Sequence, residues 1–189
     1  GQDNHVSQMF SRFLQRNRRS DGIATALYGA IVAQARNPAL YADLAVPDTV
    51  EGRFEMVILH MALVLRHLRN NEAEKAAGQR VFDRFCADMD RSLREMGVGD
   101  LGVGKRMRQM AEAFYGRAGA YDTGLAGNDA PAIAAVMGRT VYGGEAGAAG
   151  PALAAYAIAA DRSLAALPKE ALLASRLAWP DPAAPASAR

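Results

Sequence analysis

Apolar residues recur at helical spacing along almost the whole chain, and no segment alternates apolar and polar positions as a half-buried strand would. Val6, Met9, Phe10, Phe13 and Leu14 form one stripe near the N-terminus, with Arg12, Arg16, Arg18 and Arg19 clustered around its end. Ile23, Leu27 and Ile31 continue the period and predict a helix over 20–36. It must stop before Asn37-Pro38, because the residue ahead of a proline resists helical dihedrals. A short turn over 40–44 follows.

Asp48 and Glu51 have capping-box spacing, so a long helix is expected to open there and run to about residue 68. On a helical wheel Val50, Phe54, Val57, Ile58, Met61, Val64, Leu65 and Leu68 share one face, while Met56, Leu59 and Leu63 occupy the other. A helix apolar nearly all round belongs inside the protein, so this segment is predicted to be the axis of the core.

Asn71 and Glu74 predict the cap of the next helix, whose stripe is Phe82, Phe85, Met89, Leu93 and Met96 up to Gly97. With Asp100 as its expected cap, a third long helix carries Val103, Met107, Met110, Phe114 and Tyr121 on one side and Lys105, Arg108 and Glu112 on the other. Asn128 or Asp129 ahead of Pro131 opens a helix with Ile133, Val136 and Met137 that ends near Gly143-Gly144. Leu153, Tyr156, Ala160, Leu164 and Leu167 make the last long one, and Pro168 starts a short turn through Leu173. The predicted fold class is all-α: a single-domain bundle of about seven helices around a buried central helix. Residues 1–19 read as a basic amphipathic arm, 20–175 as the helical domain, and 176–189, rich in Pro and Ala, as a disordered tail.

Composition narrows the class. The chain has 189 residues, of which 50% are hydrophobic and 22% charged, which fits one soluble globular domain and no disordered or membrane-spanning class. The single cysteine, Cys86, excludes an internal disulfide framework and a cysteine-rich zinc module, points to a reducing compartment, and reads as a small core residue. A formal net charge of +2 is too mild to imply nucleic acid, and the scarcity of lysine beside arginine reads as the codon bias of a GC-rich bacterial genome. The longest apolar run, 56–65, falls short of the ~20 residues needed to cross a bilayer. No signal peptide is visible, and a start at Gly1 leaves targeting unread.

The stretch "GVGDLGVGKRM" spells a dinucleotide fingerprint with Gly97, Gly99 and Gly102, and most of a P-loop with Gly99, Gly104 and Lys105. Both motifs need a preceding strand, whereas "FDRFCADMDRSLREM" is helical, and Arg106 stands where a P-loop needs Ser or Thr. The glycines are expected instead to make a tight connection between two helices, with Gly97 left-handed past a helix C-terminus. Lys105 and Arg106 then fall in the first turns of a helix, where the macrodipole disfavours cations. Either plain solvation or an acidic partner answers this.

Arg53, His60 and His67 are seven residues apart on one flank of the central helix. Two histidines so spaced are about 10 Å apart along the axis, too far to ligate one ion. They read as hydrogen-bonded boundary residues, or as a polar seam for another polypeptide. The methionines Met56, Met61, Met89, Met96, Met107 and Met110 suit either a core or an adaptable binding surface. No nucleophile elbow, H-E-x-x-H or Cys-His pattern is present, so catalysis has little support.

Taken together, "LYGAIVAQARNPALYADLAVPDTVEGRFEMVILHMALVLRHL", "FDRFCADMDRSLREMGVGDLGVGKRMRQMAEAFYGRAGAYD", and the pair "AIAAVMGRTVYG" and "LAAYAIAAD" resemble the ubiquinol–cytochrome c chaperone family. These are bacterial relatives of a mitochondrial assembly factor for the cytochrome bc1 complex. The resemblance spans roughly residues 20–180, with Pro47, Asp48, Phe54, His60, Gly97, Leu101, Lys105, Met110, Phe114 and Tyr115 in its most recognisable parts. It implies an all-helical, non-enzymatic chaperone with no cofactor, which binds newly made cytochrome b or another bc1 subunit as client. In mitochondria the family works with a small partner protein and near the ribosome. The expected location is the cytoplasm, with a peripheral contact at the inner membrane left open. The residues expected to meet the partner are Arg53, His60, His67, Lys105, Arg106, Arg108 and Tyr115. The alternatives kept beside this reading are a haem- or quinone-binding protein using His60 or His67, and a helical module docking on RNA or the ribosome.

Overall fold

The computed structural model describes residues 3–144 and 149–184. Among these there are eight helices and no strand: α1 (Asp3–Ala35), α2 (Pro38–Ala42), α3 (Val50–Leu65), α4 (Glu72–Glu95), α5 (Asp100–Ala126), α6 (Ala130–Thr140), α7 (Ala149–Ala165) and α8 (Lys169–Leu173). α2 and α8 are five-residue pieces that the periodicity shows only as turns.

α3 is the axis, as its all-round apolarity demands. Met56, Ile58, Leu59, Met61, Leu63 and Val64 have no solvent exposure. α1, α5 and α7 pack directly against α3, while Phe54 stacks on Phe85 of α4 at a centroid distance of 6.1 Å. Leu27 and Ile31 of α1, Leu153 and Ala160 of α7, and Ile133 and Met137 of α6 complete one continuous core. Val50, expected on the buried face, is 75% exposed, while Gly52 in the same turn is buried. Leu68 lies past the end of α3 and is still buried.

Three caps decide where elements start. α3 is capped by Thr49, not by Asp48: the Thr49 hydroxyl accepts from the Gly52 N–H at 3.1 Å, while Asp48 instead holds Arg53. α4 is capped by Asn71, which accepts from the Glu74 N–H, and the Glu74 carboxylate reaches back to the Asn70 N–H, one residue earlier than in a standard capping box. α5 is preceded by Gly99 without a side-chain cap; Asp100 sits inside the first turn and pairs with Arg94 across the connection.

The α4–α5 connection answers the question posed by the glycines. Gly97 has φ 83 and donates to the Arg94 carbonyl, and Val98 donates to the Leu93 carbonyl, which is the Schellman arrangement. Helices flank the loop on both sides, so it is a corner between two rods and no phosphate cradle beneath a sheet. Gly97→Ala is expected to cost about 1 kcal/mol through the left-handed backbone alone, read as a shift in urea midpoint with unchanged m-value, since a Cβ there meets no neighbour.

The two ends depart from expectation. The arm predicted over 1–19 is not a separate helix, since α1 runs unbroken from Asp3 to Ala35. Its apolar stripe of Val6, Met9, Phe10, Phe13 and Leu14, and also Arg16, have side chains outside the described residues, while Arg12, Arg18 and Arg19 are exposed. The tail expected to be disordered from residue 176 instead lays Leu177 and Trp179 on the core and buries Pro182. Residues 185–189 lie outside the described ones.

Candidate functional site

Helical geometry places Leu101, Lys105, Arg108, Glu112 and Tyr115 on one face of α5, a strip about 21 Å long. This face looks outward: Leu101 is 94% exposed and Tyr115 60%, and the three charged residues between them are exposed as well. Across the corner from Leu101, Met96 ends the α4 stripe 64% exposed. The α4 stripe therefore changes role along its length, from buried Phe85 through half-buried Met89 and Leu93 to open Met96. Met107 and Met110 are also half-buried, so the methionines divide between core, at Met56 and Met61, and a semi-open surface.

At the other end of the strip an aromatic cluster supports Tyr115. Its ring lies 5.4 Å from Phe82 and 5.5 Å from Phe114, and Phe114 stands 5.0 Å from Phe82. Between this cluster and the end of α3 lies a cleft of about 210 Å³, floored by Leu65, Leu68 and Gly78 and rimmed by Lys75 and Gln79. Such a cleft can take one apolar side chain from a partner while the cations along α5 meet polar groups beside it. A broader depression of about 710 Å³ between α5 and α6 is lined mainly by small residues such as Gly119, Ala120 and Ala132, and has no aromatic wall.

Lys105, Arg106 and Arg108 have no ion-pair partner among the described residues. Lys105 and Arg108 lie on the outward strip, whereas Arg106 points to another side of α5. Cations near a helix N-terminus work against its macrodipole. Lys105 and Arg108 lie beyond the first turn of α5, where that effect has faded, so they stay exposed at little cost to the helix.

The flank of α3 does not form the expected seam. Arg53 is exposed and held by Asp48 at 2.8 Å, a pair of little energetic weight. His60 has no exposed surface while the chain's own residues cover it. Its Nδ1 donates to the Met56 carbonyl at 2.7 Å, leaving Nε2 to accept from the Tyr156 hydroxyl at 2.8 Å, and Gln34 donates to that hydroxyl at 2.9 Å. Because a carbonyl only accepts, this chain of bonds fixes the neutral tautomer. Burial pushes the His60 pKa down to about 4. With both ring nitrogens engaged, His60 has none to offer a haem iron.

His67 is part-buried and donates to Asp161 at 2.7 Å, beside Arg66, which donates to the same carboxylate oxygen at 2.7 Å and to Asp122 at 3.0 Å. Burial opposes ionisation of Asp161, but hydrogen bonds from His67 and Arg66 outweigh it and hold its pKa below the usual carboxylate value. Glu55 behaves the other way: burial raises its pKa although Arg117 donates to it at 2.7 Å. These pairs tie α3 to α5 and α7. Periodicity alone could not find them, although Glu55 and Arg66 bounding an apolar run were a signal that partners were needed. Of the seven residues expected to meet a partner, the structure brings Lys105, Arg108 and Tyr115 together on one open face, leaves Arg106 beside it, and puts Arg53, His60 and His67 in three separate settings. Leu101, Met96, Phe82 and Lys75 belong with the open face and were not among the expected contacts.

Comparison with known proteins gives a consistent result. A family model described as ubiquinol-cytochrome C chaperone matches residues 42–179. The crystal structure of the Cbp3 homolog from Brucella abortus is similar to this chain with a TM-score of 0.82 and 39% sequence identity, covering 92% of this chain and 97% of that one. No curated protein matches the chain.

Proposed function

This chain belongs to the ubiquinol–cytochrome C chaperone family, and from that premise we propose that it is a non-enzymatic chaperone which binds newly made cytochrome b and supports assembly of the bc1 complex. The observation that carries the reading is the outward face of α5, where exposed Leu101 and Tyr115 bracket Lys105 and Arg108, neither of which has an ion-pair partner among the described residues. A chaperone of this kind holds an apolar client surface reversibly until other subunits cover it. That work needs an apolar contact, a rim of charge and no reacting group. The cleft beside Tyr115 supplies an anchor pocket, and the α5 cations supply orientation.

No helix among the described residues is long and apolar enough to cross a membrane.

Two experiments test this. Affinity capture from a host that makes the bc1 complex should recover cytochrome b, and a strain lacking the chain should lose assembled bc1 complex; normal bc1 levels in that strain would contradict the proposal. The double reversal Lys105→Glu with Arg108→Glu should lower cytochrome b recovery at least about fivefold, equivalent to about 1 kcal/mol of binding. Helicity and thermal stability should stay unchanged, because neither side chain has an ion-pair partner among the described residues.

A further inference from the structure

Beyond α8 the chain continues as a strap without regular structure over 174–180, passing Leu177, Trp179 and Pro182 across the body. Leu177 and Trp179 pack on the core, and Trp179 meets the His60 ring edge-on at a centroid distance of 5.2 Å. Leu177 and Trp179 are half-buried while Arg176 and Ala178 are exposed, so the strap turns one side to the body, as a bound peptide does in its groove. Among the described residues no backbone hydrogen bond ties 177–182 to the helices; the only ones in this stretch are local, to Asp181. The prolines at 180 and 182 have no N–H to give.

Before the strap, Ser175 closes α8 in a Schellman arrangement, its N–H donating to the Leu172 carbonyl and the Arg176 N–H to the Ala171 carbonyl. Ser175 has φ 59, a left-handed backbone without glycine's freedom, and its buried hydroxyl has no hydrogen-bond partner. The strap is thus held to the body by side chains, Leu177, Trp179 and Pro182 among them, and laid over a floor whose polar atoms are bonded to one another. That floor is His60, locked by Tyr156 and Gln34 from two other helices.

We propose that this groove is a binding site for an extended apolar segment of a client, an aliphatic residue followed two positions later by an aromatic one, and that the strap is its displaceable internal occupant. The proposal rests on the chaperone reading given above and adds a second contact to it, away from the α5 face. The groove's own occupant shows the chemistry it accepts.

Trp179 is the chain's only tryptophan, so its emission reports the strap directly. The probe is a synthetic peptide copying 176–184 with phenylalanine in place of tryptophan, which is silent in that channel. Added in excess to the full wild-type chain, it should shift Trp179 emission to the red and raise acrylamide quenching about threefold. A peptide with alanine at both the leucine and aromatic positions should do neither. In parallel, a fluorescein-labelled peptide of the native 176–184 sequence should bind the Trp179→Ala chain at least tenfold more tightly than wild type, because the tethered competitor is weakened; circular dichroism establishes that the variant is folded. Unmoved Trp179 emission up to millimolar peptide, or equal affinity of the two chains, would overturn the proposal. So would an emission that follows protein concentration alone, which would assign the groove to the strap of a second copy. No client protein enters these assays, so their failure would leave the assembly-chaperone reading standing, and failure of the capture experiment would leave the groove standing.

Discussion

Replacing Gly52 by alanine should remove about 3 kcal/mol or more of folding stability, the upper end of what overpacking costs. A Cβ built at this position would sit 1.9 Å from the Pro47 carbonyl oxygen and 3.0 Å from its carbon. Both are backbone atoms, so no rotamer change can relieve the clash. The obstruction falls in the first turn of α3, where the Gly52 N–H is also the donor to the Thr49 cap. Pushing Pro47 away would break that cap and disturb Val46, which is buried nearby. Since α3 is the axis on which α1, α5 and α7 pack, the loss should appear as cooperative destabilisation of the whole chain in urea unfolding followed by circular dichroism. A midpoint within about 0.5 kcal/mol of wild type would mean that the 47–52 turn is looser than the structure has it.

The second large effect is one of pH. The folded pKa of His60 is lowered to about 4 from 6.5, chiefly by burial. The unfolded chain therefore binds a proton through a window in which the folded chain does not. Stability from this group is fully present above pH 6.5 and is lost as pH falls towards about 4, at about 1.4 kcal/mol per unit, or roughly 3 kcal/mol in all. Glu55, whose folded pKa is raised, acts with the opposite sign, while Asp122 and Asp161, whose pKa values are lowered, lose their contribution at more acid pH. The measurement is accordingly the difference in slope between wild type and His60→Gln across that window. Wild type should be the steeper of the two, although the variant is less stable throughout. Parallel slopes would mean that His60 is not buried in its neutral form.

The helices were legible because a 3.6-residue period repeated over several turns leaves few alternatives. α3 could be placed at the centre because residues such as Met56 and Leu63 leave it no polar side to turn to water. Gly97 could be assigned because little else suits a left-handed residue after a helix. What escaped was decided by choices between near-equals. Asp48 and Thr49 can both cap a helix, and only the extended backbone of Thr49, φ −118 and ψ 169, settles which one does. Depth was equally hidden: His60, His67 and Arg53 share a wheel position, yet the neighbours packed on each turn of α3 differ, so one is buried, one bridges to Asp161 and one stays in water. The strap was missed for a different reason. Its proline and alanine content carries no period, and the alternation of Leu177 with Trp179 is too short to stand out from composition. For the candidate site, Lys105, Arg108 and Tyr115 were readable on one face of a helix, but the openness of Leu101 and Met96 depends on how far the α4–α5 corner extends beyond the core.

The outward face of α5 is proposed to hold newly made cytochrome b. The most direct test is a photocrosslinking amino acid placed at Leu101, at Tyr115, and at Arg139 on the exposed side of α6, in a host assembling the bc1 complex. Crosslinks to cytochrome b are expected from Leu101 and Tyr115 and few from Arg139; strong crosslinks from Arg139 with none from Leu101 or Tyr115 would rule this face out.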